Sequence, residues 1–313
     1  MTLPLRVTVS APAKINLCLG VGPARVDGFH PLATVYQAIG LHDRVTASHA
    51  PSSASEDVTV SVTAEDRISL DEVPLDGTNI AVRAARLLAG HHGVERGVTL
   101  AIDKGIPVAG GMAGGSADAA ATLLACDHLW RLHTPREELI ALAAELGSDV
   151  PFALVGGTAI GSGRGEVVTP LMTRGTYWWV VLESPMGLST PAVYGEFDQL
   201  RGRHHVGDPE IPDALMQALR THDVPALGRH LTNDLQAAAL RLRPELRAAL
   251  ERGPVVSAVG AVLSGSGPTC LFLCESEAHA AVVSAGLRSA GLTSLSSAPG
   301  PVPGARLLPD GKH

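Results

Sequence analysis

Residues 105–120, GIPVAGGMAGGSADAA, hold the pattern with the clearest chemistry. Gly110, Gly111, Gly114 and Gly115 stand just before an alanine-rich segment expected to be helical from about Gly115 to Leu132. Glycine permits positive φ and close approach to the backbone. The first N–H groups of a helix lack intrahelical partners, and the helix dipole adds positive potential there. Such a turn can cradle an anion, most naturally phosphate. It is not a Walker loop, because Ser116 follows Gly115 with no lysine between. It is a poor dinucleotide fingerprint too, lying mid-chain with no acidic residue ending a second strand. A flexible strand-to-helix loop is about equally compatible with the glycines alone. The small residues Ala117, Ala119, Ala120 and Ala121 favour the cradle, since they let the helix pack closely while its N-terminus stays open.

Two other places could carry chemistry. Lys14 and Asn16 share one face of the alternating run Lys14-Ile-Asn-Leu-Cys-Leu19. Together they could hold an anionic substrate, although spacing alone favours an exposed sheet face. Asp149, in Gly147-Ser-Asp-Val-Pro-Phe152, stands in a loop two residues before a proline. A loop aspartate is usually a turn former, so by itself it says little about catalysis.

The elements that must position these residues read as follows. Strands are expected at Leu5–Ser10 and Lys14–Leu19, separated by Pro12, then at 31–42 and 58–63, with 51–57 a polar loop. Asp27-Gly28 marks a hairpin turn. Asn79 is placed to cap a helix over 80–90. Val98–Lys104 is a strand leading into the glycine stretch. Thr134 caps a helix with Pro135 first and Gly147 beyond its end. Gly156-Gly157 and Gly161–Gly165 suggest a boundary, giving domains 1–160 and 161–300 and a Pro/Gly-rich tail, 301–313, poorly ordered at its end. Beyond the boundary come helices near 212–221, 225–240 and 244–252, strands at 255–263 and 269–274 around Ser264-Gly-Ser-Gly-Pro268, and a helix over 278–290. The class is α+β with an antiparallel sandwich in the second half.

Composition narrows the partners. The net charge of −7 over 313 residues argues against nucleic acid as a general partner. With 45% hydrophobic but only 3% aromatic residues, the core is built from Ala, Val and Leu. No apolar run is long enough to span a bilayer. The N-terminus lacks a signal layout, and Cys18, Cys126, Cys270 and Cys274 form no Cys-x-x-Cys pair, so a reducing cytoplasm is expected.

Ala11-Pro-Ala-Lys-Ile-Asn-Leu17, residues 107–117 and Leu263-Ser-Gly-Ser-Gly-Pro268, in that order, resemble the three motifs of the GHMP small-molecule kinases. Asp27-Gly-Phe-His30, Asn79–Ala85, Gly147–Phe152 and Asn233-Asp-Leu235 extend the resemblance from about residue 8 to about 290. It implies an N-terminal ATP-binding domain and a ferredoxin-like C-terminal domain with the active site in the cleft between them, in a monomer or homodimer. ATP would lie on Pro107, Val108, Ala109, Gly110, Gly111, Met112, Ala113, Gly114, Gly115, Ser116 and Ala117, with Asn79 and Lys104 near the adenine. Ser116 would offer its hydroxyl to Mg²⁺; its plain alternative is a helix cap. Asp149 would be the base and Lys14 its partner. Asn16, Phe29, His30, Thr190, Tyr194, Gly265 and Ser266 would surround the acceptor. The acceptor implied is 4-diphosphocytidyl-2-C-methyl-D-erythritol, phosphorylated on its 2-hydroxyl in the non-mevalonate isoprenoid route. Mevalonate, homoserine or a sugar, or a nucleotide sensor without catalysis, are the alternatives. The chain departs from the family pattern at Val108-Ala109, at Met112-Ala113, at Phe29, where tyrosine is common, and at Asp118, where asparagine is.

Overall fold

The computed structural model describes residues 5–50, 58–65, 68–108, 110–184, 186–202 and 207–309. The expected polar loop at 51–57 lies outside them. The chain opens with two long antiparallel strands, β1 (Arg6–Val21) and β2 (Leu32–His49). Their turn is held by Asp27, whose Oδ1 accepts the Phe29 N–H at 3.0 Å. β3 (Val58–Ala64), α1 (Ile80–His92), β4 (Val98–Lys104), α2 (Gly114–Trp130), α3 (Arg136–Leu146), α4 (Val150–Val155), β5 (Thr158–Ser162) and β6 (Val167–Leu171) follow. The second half comprises β7 (Tyr177–Leu182), α5 (Thr190–Arg201), α6 (Asp213–Thr221), α7 (Val224–His230), β8 (Thr232–Asn233), α8 (Gln236–Leu242) and α9 (Glu245–Val255). It closes with β9 (Gly260–Leu263), β10 (Cys270–Cys274), α10 (Glu277–Ser289), β11 (Leu295–Gly300) and β12 (Arg306–Leu307).

Two sheets result. The first runs β12-β1-β2-β4-β3, with β5 and β6 continuing from β2 and β8 beside β1; the second is antiparallel, β11-β7-β10-β9. Pro12 does not split the first strand in two as expected. Pairing shifts by a bulge between Pro12 and Ala13, and again between Asn16 and Cys18, while the strand continues. A bulge accommodates the missing proline N–H and re-aims the side chains beyond it. Both faces of β1 are covered, so Lys14 and Asn16 lie on no exposed sheet face: they are 6% and 2% exposed.

Three further readings are corrected. A division at residue 160 cuts the β5–β6 hairpin, which pairs with β2 in the first sheet. Its glycines are turn and packing positions rather than a linker: Gly163 and Gly165 have positive φ, and a Cβ on Gly161 would lie 2.3 Å from the Tyr36 ring. The crossing to the second sheet falls between β6 and β7. Residues 301–309 pack on the first unit rather than standing apart as a tail. Val302 N–H donates to Ala38 O, Ala305 N–H to Ala153 O, and β12 pairs with β1; residues 310–313 lie outside the described residues. The helix placed at 244–252 runs to Val255, which leaves only Gly260–Leu263 as strand. No helix among the described residues is long and apolar enough to cross a membrane.

The sheets are joined by a polar contact inside the core, where Trp179 Nε1–H donates to Gln37 Oε1 at 2.9 Å with both residues fully buried. The largest apolar cluster runs from β1 and α2 across to β7 and β10, so the units share one packed interior.

Candidate active site

β4 delivers the chain to the glycine stretch. Gly105 makes the turn because a Cβ there would lie 2.4 Å from His42 O. Ala113, φ 59°, is the residue before α2, and the helix starts within one residue of the expected position. Left-handed backbone is unusual for alanine. Ala117, Ala119, Ala120 and Ala121 are fully buried, as their size predicted. The open end of α2 faces a recess of about 280 Å³ lined by Asn79, Pro107, Val108, Gly110, Gly114 and Gly115 among others. Met112 and Ala117 are fully buried, and neither they nor Ser116 is among the residues lining the recess or the cleft; Ala109 lies outside the described residues. Asn79 is the expected cap: its Oδ1 accepts Ala81 N–H at 2.9 Å and its Nδ2 donates to Pro74 O at 2.7 Å. Ser116 is not a cap. No side-chain bond closes the start of α2.

Lys104 is more committed than expected. Its ammonium, 3% exposed, reaches Asp43 Oδ2 at 2.5 Å and Asp118 Oδ2 at 2.6 Å. Asp43 Oδ1 also accepts the N–H groups of Gly105 and Ile106, which fixes the turn under the cradle. Burial works against the Lys104 charge, but Asp118 and Asp43 outweigh it and the pKa rises. Burial pushes the Asp118 carboxyl well above the carboxylate range, Lys104 pulling it down and Asp43 adding to the rise. Asp118 Oδ1 has no partner. Asp118 is therefore the member of the trio that burial drives toward the protonated form, and the charge nearest to it is the Lys104 ammonium at 2.6 Å.

A folded pKa above the unfolded value gives stability that is present below about pH 4 and lost as pH rises through the folded value. Asp118→Asn removes that loss. Melting temperatures measured from about pH 5 to 9 should therefore show the variant gaining on the parent as pH rises; a parent that gains on the variant instead contradicts the assignment.

On the other side of the glycine turn, Lys14 Nζ lies 3.2 Å from Asp149 Oδ2 and donates to Asn16 Oδ1 at 3.1 Å. Asn16 Nδ2 donates to Thr34 Oγ1 at 2.8 Å, and Thr34 to Cys18 O at 2.6 Å. Lys14 N–H donates to Met112 O, which ties β1 to the cradle. Asp149 stands at the start of the short helix α4 rather than in a plain loop, and its carboxylate makes no capping bond. It remains about one-third exposed and faces a cleft of about 510 Å³.

The cleft walls bring in the remaining expected residues. Phe29 is 49% exposed, and the half-buried Tyr194 ring lies 5.0 Å from His30. The His30 ring is buried, with Nδ1 2.8 Å from Gly22 O and Nε2 3.5 Å from Asp198. Thr190 Oγ1 and Ser266 Oγ are 2.9 Å apart, and Gly265 lines the cleft beside them. Ser264 Oγ–H donates to Gly111 O at 3.0 Å, so the second unit touches the cradle directly.

Three site residues escaped the sequence reading: Thr34, Tyr36 and Arg164. Tyr36 pairs with Asn16 across the β1–β2 ladder, and its ring lies 5.3 Å from Lys14 Nζ. Burial, then the Asp149 charge, holds its phenol well above the ordinary tyrosine range, so it stays a neutral donor. Arg164 lies over the Phe29 ring at 4.7 Å. Tyr36 is set opposite Asn16 and Thr34 opposite Leu19 by a register that two bulges shift, so neither has a local signal; Arg164 is reached only through the β5–β6 turn. The one cluster of metal-ligand type among the described residues, His91, His92 and Glu138, is at the C-terminal end of α1, away from Asn79 and the cleft.

An anion cradle meeting a lysine–aspartate pair at the junction of two α+β units defines the GHMP kinase class of small-molecule kinases. Residues 79–157 match the family model of the GHMP kinases N terminal domain and residues 215–292 that of the GHMP kinases C terminal domain. The 4-diphosphocytidyl-2-C-methyl-D-erythritol kinase of a Nocardioides species is 57% identical, over 95% of this chain and 98% of its own. That of Thermobifida fusca is 52% identical, over 98% and 100%. A crystal structure of a 4-(cytidine 5'-diphospho)-2C-methyl-D-erythritol kinase superposes with a TM-score of 0.74 at 31% identity, covering 94% of this chain and 99% of that one. The chain belongs to the 4-diphosphocytidyl-2-C-methyl-D-erythritol kinase family.

Proposed function

We propose that the protein transfers the γ-phosphoryl group of ATP to the 2-hydroxyl of 4-diphosphocytidyl-2-C-methyl-D-erythritol, acting in the non-mevalonate isoprenoid route of the cytoplasm. The observation that carries the reading is the Lys14–Asp149 pair, set between the cradle and the ring-walled cleft. Gly111 and Ala113 line both spaces, so a phosphoryl group and a hydroxyl can meet there. The acceptor O–H bond breaks with its proton passing to Asp149. The new O–P bond forms as ADP departs with the electrons of the old one. Lys14 neutralises charge at the base, and Asn16, fixed through Thr34, orients the hydroxyl. Such catalysis is mostly positioning and charge stabilisation. Mg²⁺ takes few protein oxygens and otherwise waters and phosphates, so a single hydroxyl in the first turn of α2 fits it. The Ser116 hydroxyl would hold it, and the ion would neutralise phosphate charge when bound. Arg164 lines the cleft, 3.8 Å from Glu166 and over the Phe29 ring, and would turn its cation to the acceptor diphosphate.

The base is selected by His30. Its ring is already engaged by Gly22 O and Asp198. Its own N–H and C=O make no backbone hydrogen bond among the described residues. One donor beside one acceptor fits cytosine, whose N3 accepts and whose N4 donates; uracil reverses both. A site built for such pairs rejects the analogue that leaves them unpaired. Phe29 and Tyr194 supply the stacking faces, worth about 1–3 kcal/mol per base. In a side-by-side assay the cytidine compound should turn over, its uridine analogue far more slowly, and mevalonate and homoserine not at all. Tyr194→Ala should raise KM for the acceptor roughly 5- to 100-fold with ATP affinity nearly unchanged. Turnover of either small carboxylate without the cytidine compound would overturn the assignment.

A further inference from the structure

Asn233-Asp-Leu235 is a motif that the reaction as described does not use. The structure shows it as a junction. β8 lies parallel to β1, with Asn233 opposite Leu19. Asp234 grips the end of β1 twice: its N–H donates to Leu19 O and its Oδ2 accepts Val21 N–H, each at 2.9 Å. Asn233 faces the other way. Its Nδ2 donates to Leu263 O at 2.9 Å and to Gly265 O at 2.7 Å, while its Oδ1 accepts Leu235 N–H at 2.9 Å. Both amide hydrogens and the amide oxygen are thus engaged, which fixes the amide's orientation. A flip would set an oxygen against two carbonyl oxygens.

The loop so held reaches the catalytic pair. A Cβ on Gly265 would lie 3.5 Å from Asn16 Oδ1 and 3.9 Å from Lys14 Nζ. The same loop holds the cradle through Ser264 and bonds Thr190 through Ser266. β1 carries Lys14 and Asn16; the loop carries Gly265 and Ser266. Asn233 and its neighbour hold these two elements from opposite sides.

We propose that Asn233 is a positioning residue for phosphoryl transfer: it sets the distance between the Ser264–Gly267 loop and the Lys14–Asn16 pair. The inference rests on the kinase reading above. It predicts an ordering of variants that loss of packing alone does not. Asn233→Ala removes both donors and lets the loop drift. Asn233→Asp keeps the shape but points a carboxylate at two carbonyl oxygens, so it should be the worse of the two. A displacement of about 1 Å at a reacting centre can cost roughly 10²-fold.

The test uses the purified full chain and its two variants. Expected are a fall in kcat of roughly 10- to 100-fold for Asn233→Ala, a larger fall for Asn233→Asp, and KM for ATP within about threefold of the parent. Amide exchange at 264–267 should quicken in both variants while exchange in α2 stays unchanged. Normal kcat in both variants, or a loss that vanishes when activity is divided by the folded fraction from circular dichroism, overturns the proposal. Unchanged exchange at 264–267 also overturns it. A parent enzyme inactive on the cytidine compound would instead sink the kinase reading, and the exchange experiment, which needs no substrate, still decides the clasp.

Discussion

Asp149→Asn is expected to lower kcat by roughly 10²–10⁴-fold, with KM for either substrate little changed. The amide matches the carboxylate in shape but cannot take the hydroxyl proton. It also removes the negative partner of Lys14, 3.2 Å away, so the ammonium is no longer drawn to the same place. The fold should survive. Asp149 is about one-third exposed and makes no capping bond, so its amide stays solvated; buried Lys14 loses its charged partner but keeps Asn16 Oδ1, and any loss of stability shows in the melting curve. Lys14 is the riskier target, since its removal leaves the Asn16 oxygen in a buried site without its donor. The measurement is steady-state turnover beside a melting curve. A variant with normal kcat would move the base elsewhere or make it unnecessary, leaving orientation by Asn16 and Lys14 as the main contribution.

What the sequence made legible was local. The glycines ahead of α2, the small residues along it and the Asn79 cap all act within a few positions of themselves, and the structure has them where the pattern put them. The errors came from partners far apart in the chain. Alternation along 14–19 implied one wet face, but that face is covered by the second unit and the cleft, so Lys14 is buried and paired. Pro12 looked like a break because a bulge leaves no mark in local composition. The proline- and glycine-rich end read as a separate tail because a two-residue strand such as β12 has no period to detect; backbone bonds to Ala38, Ala153 and β1 define the place of 301–309.

The same distinction applies within the site. Lys104 was visible as a lysine ending a strand beside a phosphate loop. Its two carboxylates were not, since Asp43 lies 61 residues away and Asp118 reads as a helix-start acid. Only their meeting shows that the lysine is engaged by the protein, and that Asp118 faces an ammonium inside the fold. Thr34 and Tyr36 were hidden for a similar reason. Their roles come from the register that sets Asn16 opposite Tyr36, and two bulges shift that register.

Gly111→Ala should be as damaging as a change at the base, by a different route. Gly111 has φ 73°, which costs an L-residue about 1–2 kcal/mol. The larger obstacle is space: its Cβ would lie 2.4 Å from Ser264 O and 2.8 Å from Gly267 O. Both atoms are backbone, in a loop already fixed by Asn233 and the Gly111–Ser264 bond, so neither can swing aside as a flexible side chain would. The cradle and the second unit must separate to admit the methyl group. Since Gly265 and Ser266 sit on that loop and Gly111 lines both halves of the cleft, separation misplaces donor and acceptor together. We expect kcat/KM to fall by roughly 10²-fold or more, with a lowered melting temperature. Gly90→Ala, in α1, is the control, because its Cβ would meet nothing within 4 Å. It keeps the glycine-to-alanine change while leaving the inter-unit contact alone, and it should retain most of the activity. If Gly111→Ala instead performs like the control, the two loops are not in contact during turnover, and the closure seen here is not the state in which phosphate is transferred.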